Sequence, residues 1–446
     1  MSDGFIEEYV CEECGEESQK WQGKCDSCNA WNTLKELHIE SALSSQSRDK
    51  SNYQNPQKIS QIKSDKEFKI STKLSEVDLV FGGGIVNGEI ALIAGNPGIG
   101  KSTLVLQLSN KIDGCLYISA EESLNQIKSR WERLGLINNN TSFLSTADIN
   151  EAIEGIIKTK PKLVIIDSIQ AISDSTNVSS AGNPVQVKLC SLKLQNLAKK
   201  SNTPIIITSH VTKSGIVAGP KTLEHLVDGV FYIEGEKESQ VRILRSVKNR
   251  YGPIDEIGIF KMTNKGMEEV NNLENLFMDK EILDEPGVAV SSIVEGNRPI
   301  IVEIQVLAVK SCFGFPKRVS SGIDINKINL LSAVLEGTSN HKLSKYDLFF
   351  NLVGGIKTKD DSINLALVIA MVSAIWKKAI PKNIIAIGEV GLTGEIRQPK
   401  MIEKQIRQAQ KLGFKTIIAP FGNCGKNVIM VRNIKEAIVK VFGKKS

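Results

Sequence analysis

The nonapeptide GNPGIGKST, residues 95–103, decides the fold of the segment around it. It fits the pattern G-x-x-x-x-G-K-[ST] and lies between a strand-like run, EIALIA, and a helix-like run, TLVLQL. In this context the glycines let backbone amides curl around phosphates, the lysine reaches the β and γ oxygens, and the hydroxyl after it can bind Mg²⁺. The candidate ATP contacts are Gly95, Asn96, Pro97, Gly98, Ile99, Gly100, Lys101, Ser102 and Thr103.

Two other strand-like runs end in acidic residues that suit the same site. LVIIDS ends its apolar run at Asp167, which is a candidate Mg²⁺ partner together with Ser102. CLYISA leads directly into Glu121 and Glu122, and a carboxylate at such a strand end can orient and deprotonate the attacking water. We favour Glu121 as this base, although either residue could be a first-turn helix carboxylate placed for the helix dipole.

Outward from this loop, the chain divides into regions of different composition. From 71 to 270, short apolar runs alternate with amphipathic segments, which predicts a mainly parallel sheet flanked by helices. Residues 36–70 are polar and predict a flexible linker. Residues 287–446 begin with β-rich sequence followed by helical segments, which predicts a second, α+β domain.

Charge and hydropathy exclude few classes of protein. The formal net charge of +6 is compatible with an anionic partner but does not require one. The longest apolar run, residues 363–376, is shorter than the about 20 residues that span a bilayer, and the acidic start MSDGFIEEYV lacks secretory features. We therefore expect a cytoplasmic protein that does not insert into a membrane.

Residues 1–35 contain two CxxC pairs separated by ten residues. Each pair can form a turn that presents two thiolates to one ion, and four thiolates suit tetrahedral Zn²⁺. The predicted zinc ligands are Cys11, Cys14, Cys25 and Cys28. Many glutamates surround these cysteines, so a structural or partner-docking role is at least as well supported as phosphate binding.

The chain resembles the RadA, or Sms, family of bacterial DNA repair proteins. The resemblance rests on the CxxC pairs followed by WNT, on GNPGIGKST and YISAEES, and on HVTKSGIVAGPKTLEHLVDGV and SVKNRYGP. It implies a RecA-like ATPase that assembles as a homohexamer on single-stranded and branched DNA. It also implies branch migration of recombination intermediates, work at stalled replication forks, and a partner recombinase of the RecA type.

The family's KNRFG motif reads here as KNRYG, residues 248–252, with Tyr251 in place of phenylalanine. Lys248 and Arg250 are two residues apart at a strand end and are expected to project to one side. They could reach a neighbouring subunit's phosphates or the DNA backbone. A solvated basic turn is the alternative that the family resemblance makes less favourable.

Two loops are candidates for DNA contact, namely SDSTNVSSAGNP (173–184) and TKSGIVAGPK (212–221), the latter with Lys213 and Lys221. Their glycines, serines and lysines could hold phosphates without reading bases, and flexible loops of no such function are equally compatible with the sequence.

The region from 287 resembles the proteolytic domain of Lon, a Ser-Lys hydrolase. The family's PSAG serine context corresponds here to Asp361–Asn364, so Ser362 is present without its small neighbours. Positional comparison puts Glu403 where the lysine belongs, with Lys400 and Lys404 beside it. A serine needs a nearby base to become nucleophilic, so we expect Ser362 to be a helix N-cap and the domain to be proteolytically inactive.

Basic residues of this domain could instead contact DNA in a ring. They are Lys310, Lys317, Arg318, Lys400, Lys404, Arg407, Lys411 and Lys415. The predicted fold is therefore α/β: a RecA-like P-loop ATPase core with a small N-terminal zinc module and a C-terminal α+β Lon-protease-like domain. The predicted function is a DNA-dependent ATPase; the alternatives are an ATP-dependent protease and a non-enzymatic ATP switch that recruits partners.

Overall fold

The computed structural model describes residues 7–38, 58, 69–176, 180–210, 223–235, 239–270, 277–278, 283–311, 316–339, 342–422 and 425–443. The chain divides into two compact units, Met1–Glu269 and Val270–Ser446. Most of the predicted linker 36–70 and the whole of the predicted loop 212–221 lie outside the described residues. The bounds 1–35, 36–70, 71–270 and 287–446 remain predictions.

The first unit contains fourteen described strands and five described helices. The strands are β1 (Glu7–Cys11), β2 (Glu17–Ser18), β3 (Leu34–His38), β4 (Lys69–Ile70), β5 (Ile85–Val86), β6 (Ile90–Gly95), β7 (Cys115–Ser119), β8 (Ser142–Ser145), β9 (Leu163–Asp167), β10 (Ile205–His210), β11 (Gly229–Glu234), β12 (Val241–Asn249), β13 (Ile257–Thr263) and β14 (Gly266–Glu269). The helices are α1 (Ser75–Phe81), α2 (Lys101–Lys111), α3 (Leu124–Arg133), α4 (Ile149–Thr159) and α5 (Pro184–Ser201).

A nine-stranded sheet forms the centre of this unit, in the order β14-β13-β12-β11-β6-β10-β9-β7-β8. The strands from β11 to β8 are parallel, and β12, β13 and β14 extend the sheet in antiparallel fashion. Because parallel strands have their carboxyl ends at one edge, the ends of β6, β10, β9 and β7 lie side by side. That edge carries the predicted nucleotide site.

Both faces of the central strands β6, β7, β9 and β10 are buried, which explains why these strands are nearly continuous apolar runs. In β6, Ala91 and Ile93 pack with Leu104 of α2, whereas Leu92 packs on the opposite face with Cys190 of α5. Alternate residues of a strand point to opposite faces, so the two clusters follow from the pleat. Full burial of each such leucine or isoleucine stabilises the fold by about 1.5–3 kcal/mol.

The cysteine-rich segment forms a separate small sheet in the order β2-β1-β3, with antiparallel pairing. Val10 of β1 packs against Val185 of α5. This apolar contact joins the cysteine-rich sheet to helix α5 of the same unit.

The second unit contains nine described strands and four described helices. The strands are β15 (Val288–Glu295), β16 (Arg298–Lys310), β17 (Arg318–Ser321), β18 (Tyr346–Leu352), β19 (Ile384–Ala386), β20 (Glu389–Val390), β21 (Ile396–Arg397), β22 (Thr416–Pro420) and β23 (Val428–Val431). The helices are α6 (Ile325–Thr338), α7 (Asn364–Trp376), α8 (Ile402–Lys411) and α9 (Ile434–Phe442).

Two main sheets organise this unit: β15-β16-β18-β17, which is mixed, and β19-β22-β23, which is parallel. Ile402 and Ile406 of α8 pack with Ile301 of β16 and Ile417 of β22. Helix α7 is buried along most of its length, which accounts for its apolar sequence. The predicted α/β class, with a parallel ATPase core and a second α+β domain, is confirmed. Within the described ranges, no helix is both long and apolar enough to cross a membrane.

Candidate functional site

The phosphate-binding stretch lies between β6, which ends at Gly95, and α2, which begins at Lys101. Gly100 precedes the helix with φ of 117°, a conformation that L side chains rarely adopt. A Cβ there would also lie 2.6 Å from Met262 Cε. Glycine is therefore required at this position by the backbone conformation, whereas the flexible end of the Met262 side chain could move away from a Cβ.

Lys101 is buried and its ammonium contacts the loop that contains it. Its Nζ donates to the carbonyl oxygens of Gly95 at 2.9 Å and Asn96 at 3.1 Å. Burial lowers the pKa of Lys101 to about 8, and the negative charges of Asp167 and Glu121 partly oppose that effect. The lysine is thus held at the mouth of the loop by weak acceptors that a phosphate can replace.

His210, which sequence reasoning missed, is the third partner of Lys101. Its Nδ1 lies 3.0 Å from Lys101 Nζ, and its Nε2 lies 3.8 Å from Glu121 Oε1. An ammonium has only donors, so Nδ1 accepts and the ring is neutral with its proton on Nε2. Burial and the charge of Lys101 lower the pKa of His210, consistent with that state. The signal was present, because His210 ends a strand beside β6, but the strand order is not readable from sequence.

Asp167 is the last residue of β9 and lies two strands from the P-loop strand. Its Oδ2 accepts from Tyr117 Oη at 2.7 Å and its Oδ1 from Thr208 Oγ1 at 2.6 Å. These bonds fix the carboxylate, and each oxygen keeps a further lone pair for a cation or its water ligands. The donor set therefore fits Mg²⁺, with Asp167 and Ser102 as the residues that would hold it.

Glu121 and Glu122 have different environments. Glu121 is 48% exposed, and its Oε1 accepts from Ser168 Oγ at 2.5 Å. Glu122 forms an ion pair with Arg130 of α3. Water can approach the exposed carboxylate of Glu121, whereas Arg130 occupies one oxygen of Glu122. The surroundings thus favour Glu121 as the base.

A second unanticipated residue, Arg242 of β12, supports the loop from behind. Its Nε donates to the carbonyl oxygen of Ile99 at 3.0 Å, and its Nη1 donates to the carbonyl of Val241 at 2.8 Å. Arg242 is buried, and this buried guanidinium fixes the middle of GNPGIGKST to the antiparallel part of the sheet. An isolated arginine in a strand gives no such signal in the sequence.

The sulfur atoms of the four predicted zinc ligands converge. Within the described residues, Cys11, Cys14, Cys25 and Cys28 form a group whose sulfurs all lie within 4.8 Å of one another. Cys11 and Cys28 are 3.7 Å apart, and Cys14 and Cys25 are 3.6 Å apart. Tetrahedral zinc with bonds near 2.3 Å requires sulfur separations of about 3.8 Å. The cluster therefore fits Zn²⁺.

The KNRYG turn lies at the sheet edge opposite the P-loop. β12 ends at Asn249, which pairs with Gly229 at the start of β11, and β11 runs parallel to β6. The six residues of β6 separate the two edges by roughly 17–20 Å. Lys248 and Arg250 therefore cannot reach the phosphates bound by their own subunit.

Glycine at the end of the motif has a steric reason. A Cβ on Gly252 would lie 3.0 Å from Gly82 Cα and 2.6 Å from Asn249 Nδ2. Gly82 caps the C-terminus of α1, so the turn packs directly on that helix end. Asn249 stabilises the turn itself, because its Oδ1 accepts from the Tyr251 amide at 2.9 Å.

Comparisons with known proteins match three segments of the chain and, separately, nearly its whole length. A rubredoxin metal binding domain matches residues 9–36, an AAA domain residues 55–215, and the subunit ChlI of Mg-chelatase residues 326–423. The DNA repair protein RadA of Bacillus subtilis is 42% identical over 98% of this chain and 98% of its own length. The RadA of Escherichia coli is 38% identical over 96% and 97%.

The chain belongs to the RadA family of DNA repair proteins. The predicted resemblance is thereby confirmed, as are a zinc ribbon with four cysteines and a RecA-like, ATP-binding core. A KaiC-like protein of Pyrococcus horikoshii also matches, at 16% identity and a TM-score of 0.38, over 45% of this chain and 98% of that one.

In the Lon-like unit of this RadA family member, Ser362 is fully buried. Its Oγ donates to Asp360 Oδ1 at 2.7 Å and accepts from Gln405 Nε2 at 3.0 Å. Glu403, expected to face the serine, is instead 79% exposed and lies 3.7 Å from Arg407. The reason is the orientation of α8: its buried face is formed by Ile402, Gln405, Ile406 and Ala409, so position 405 rather than 403 contacts the serine.

The expected N-cap role of Ser362 is also wrong. Asp360 caps the turn Asp361–Ile363, accepting from the Ser362 amide at 2.9 Å, and α7 begins at Asn364. A carboxylate two residues upstream takes the role because its Oδ1 reaches both the amide and the hydroxyl of Ser362.

A lysine that sequence reasoning missed, Lys327 of α6, lies near the Ser362 turn. Its Nζ lies 2.9 Å from each of three oxygen atoms: the carbonyl oxygen of Lys359, the carbonyl oxygen of Asp360 and the carboxylate Oδ1 of Asp361. Three oxygen atoms thus surround Lys327 Nζ, and the Ser362 hydroxyl is not among its described contacts.

The candidate DNA-contacting residues have different local environments. In loop 173–184, Asp174 is buried and paired with Lys193 at 2.5 Å, Asn183 caps α5, and residues 177–179 lie outside the described part. Lys400 and Lys415 flank α8 rather than lie on it, and Lys404 Nζ donates to Asn297 Oδ1 at 2.7 Å. The last residue of β16 is Lys310, and the first residue of β17 is Arg318, which Lys317 directly precedes. The last residue of α8 is Lys411.

Proposed function

We propose that this chain is a DNA-dependent ATPase that drives branch migration of recombination intermediates, including those at stalled replication forks. It would act as a homohexamer on single-stranded and branched DNA, beside a recombinase of the RecA type. The observation that carries the proposal is the separation of Lys101 and KNRYG on opposite edges of one sheet. A ring of identical subunits can place one subunit's KNRYG edge against the next subunit's nucleotide edge.

The proposed chemistry uses residues of the nucleotide edge. Gly95–Thr103 bind the phosphates, Lys101 leaves His210 and the loop carbonyls for phosphate oxygens, and Ser102 and Asp167 hold Mg²⁺. Glu121 takes a proton from the water whose oxygen bonds to the γ-phosphorus, while the bond to the bridging oxygen breaks and ADP leaves. Mg²⁺ supplies charge neutralisation at the phosphate oxygens.

Lys248 and Arg250 complete the proposal from a neighbouring subunit. Positive charge delivered in trans to a developing phosphoryl transition state accelerates hydrolysis and makes it depend on assembly. Because the RadA relatives are DNA repair proteins, DNA is the proposed polymer along which this ATPase moves. Each cycle of ATP hydrolysis at the subunit interface then moves the DNA branch.

The test measures phosphate release with and without single-stranded DNA, and branch migration of a labelled four-strand junction. Lys101→Ala should abolish hydrolysis, while Lys111→Ala, an exposed lysine on the last turn of the same helix, should retain it. Lys248→Ala should assemble but stop branch migration. Retained DNA-stimulated hydrolysis in Lys101→Ala contradicts the site, and undiminished branch migration in Lys248→Ala removes KNRYG from the mechanism. Hydrolysis that DNA does not stimulate supports an ATP switch instead.

A further inference from the structure

The KNRYG turn is anchored by a buried carboxylate, Asp228, directly before β11. Its Oδ1 accepts from Arg250 Nη1 at 2.9 Å, and its carbonyl oxygen accepts from the Arg250 amide at 3.1 Å. Its Oδ2 accepts from the amide of Ile90, the first residue of β6, at 3.2 Å. We propose that Asp228 is a positioning residue that fixes the Arg250 guanidinium for phosphate contact across the subunit boundary. This inference rests on the proposed function of KNRYG.

The anchoring leaves most of the guanidinium available. Arg250 is 52% exposed, whereas Asp228 is 1% exposed. A guanidinium has five N–H donors, and the contact with Asp228 uses one nitrogen. The remaining donors keep the planar fork that binds phosphate oxygens in pairs. An arginine held at one nitrogen has already lost part of its rotamer freedom, so less is lost when phosphate binds.

A second buried carboxyl group, Glu89, lies behind Asp228. Its Oε2 accepts from the Val86 amide at 2.9 Å. Burial and the negative charge of Asp228 raise the pKa of Glu89 to about 7, and Lys69 opposes the effect. The raised pKa favours protonation of Glu89 and so reduces the negative charge beside Asp228. Asp228 is the carboxylate that contacts the exposed guanidinium.

The same short segment also holds the other cation of the motif. Lys248 Nζ donates to the carbonyl oxygen of Glu224 at 2.5 Å. Burial lowers the pKa of Lys248, and the charge of Arg250 adds to that effect. Residues 224–228 thus form one support for both side chains, with a neutral acceptor for the lysine and a charged one for the arginine.

A structural ion pair is the competing explanation, and it makes different predictions. Removing one partner of a buried pair destabilises the fold, but the folded fraction should then hydrolyse ATP normally. A positioning residue acts on kcat, because misplacement of a reacting group by about 1 Å costs about 100-fold. It leaves the KM for ATP nearly unchanged, because the P-loop of the same subunit lies at the other edge of the sheet.

The decisive variant is Asp228→Asn in the full chain, which preserves shape and an acceptor oxygen but removes the charge. We expect kcat for hydrolysis stimulated by single-stranded DNA to fall about 10–100-fold, with the KM for ATP changed less than about twofold. Asp255→Asn removes an exposed charge from the adjacent turn and should behave as the parent does. A lower melting temperature with unchanged kcat overturns the inference.

A double-mutant cycle with Arg250→Ala separates this inference from the function it rests on. If Asp228 acts through Arg250, the double variant loses no more activity than Arg250→Ala alone. Losses that multiply contradict the inference. Full activity of Arg250→Ala itself contradicts the proposed role of KNRYG instead.

Arg250→Lys provides a test that does not depend on the folding of an Asp228 variant. A lysine keeps the charge but lacks the fork, so it cannot hold Asp228 and bind phosphate in the same geometry. Its kcat should fall to nearly that of Arg250→Ala. Parent-level kcat in Arg250→Lys overturns the inference.

Discussion

The nucleotide edge of the first unit and the Ser362 turn of the second contain similar residue types that differ in solvent exposure and hydrogen bonding. Each has a serine near a helix start, a nearby lysine and at least two carboxylates. At the nucleotide edge, Glu121 is about half exposed, and the acceptors of Lys101 are replaceable. At the other site, Ser362 has no exposure at all. Access, rather than residue type, separates a reactive site from a structural one.

The hydrogen bonds of the two carboxylates show the same contrast. Asp360 Oδ1 accepts from the amide and hydroxyl of Ser362, and its Oδ2 accepts from the Val294 amide at 2.6 Å. Three local donors therefore occupy the carboxylate oxygens of Asp360. Glu121 accepts one described hydrogen bond, from Ser168. Its side chain is about half exposed, so water can reach its remaining lone pairs.

The largest effect should come from changing the glutamate that this contrast singles out. Glu121→Gln removes the proton acceptor while preserving its shape, so hydrolysis should fall at least about 100-fold with ATP affinity nearly retained. Glu122→Gln is the matched control and should cost less than about threefold, because Glu122 is paired with Arg130. Phosphate release and equilibrium binding of ATP measure the two quantities. Equal losses in both variants would show that the exposure argument assigns the base wrongly.

A smaller effect should follow from the lowered pKa of Lys101, about 8. In the free site the lysine loses its charge as pH rises through 8, whereas bound phosphates favour the protonated form. ATP affinity should therefore fall by up to about tenfold per pH unit above 8, and binding should take up a proton. Calorimetry at pH 9 in two buffers of different ionisation enthalpy measures that uptake. Lys101→Met should bind weakly without it, and a parent chain with pH-independent affinity up to pH 9.5 contradicts the prediction.

The sequence predicts well those features that depend on residues close to one another in the chain. GNPGIGKST, the strand ending in Asp167 and the CxxC pairs place their residues through contacts within a few positions. His210 depends instead on β10 lying between β6 and β9, an order set by the whole sheet. Asp228 depends on the pairing of β11 with β12. Such long-range placement has no local signal.

The error at Glu403 has the same origin at a finer scale. Residues 362 and 405 are 43 positions apart, and the side chain that contacts the serine belongs to the buried face of α8, which is set by packing within the unit. Two residues along a helix rotate a side chain by about 200°. Positional comparison therefore identified the correct helix start but the wrong face. In the described residues the hydroxyl of Ser362 bonds to Asp360 and Gln405, and the absence of an activating lysine stays a prediction.

The smallest effect should come from Ser362→Ala, which tests whether the second site is only structural. The change removes a hydroxyl that donates to Asp360 and accepts from Gln405, so the second unit should lose about 1–2 kcal/mol of unfolding free energy. Urea unfolding and hydrogen exchange of the α7 amides measure the loss, with exposed Ser344→Ala as the control, expected to change by less than about 0.5 kcal/mol. ATP hydrolysis should be unchanged, because the nucleotide edge does not use this serine. Neither parent nor variant should degrade unfolded casein with ATP. Casein cleavage by the parent that Ser362→Ala abolishes would instead make Ser362 a nucleophile and require its turn to open, since a buried hydroxyl cannot reach a peptide bond.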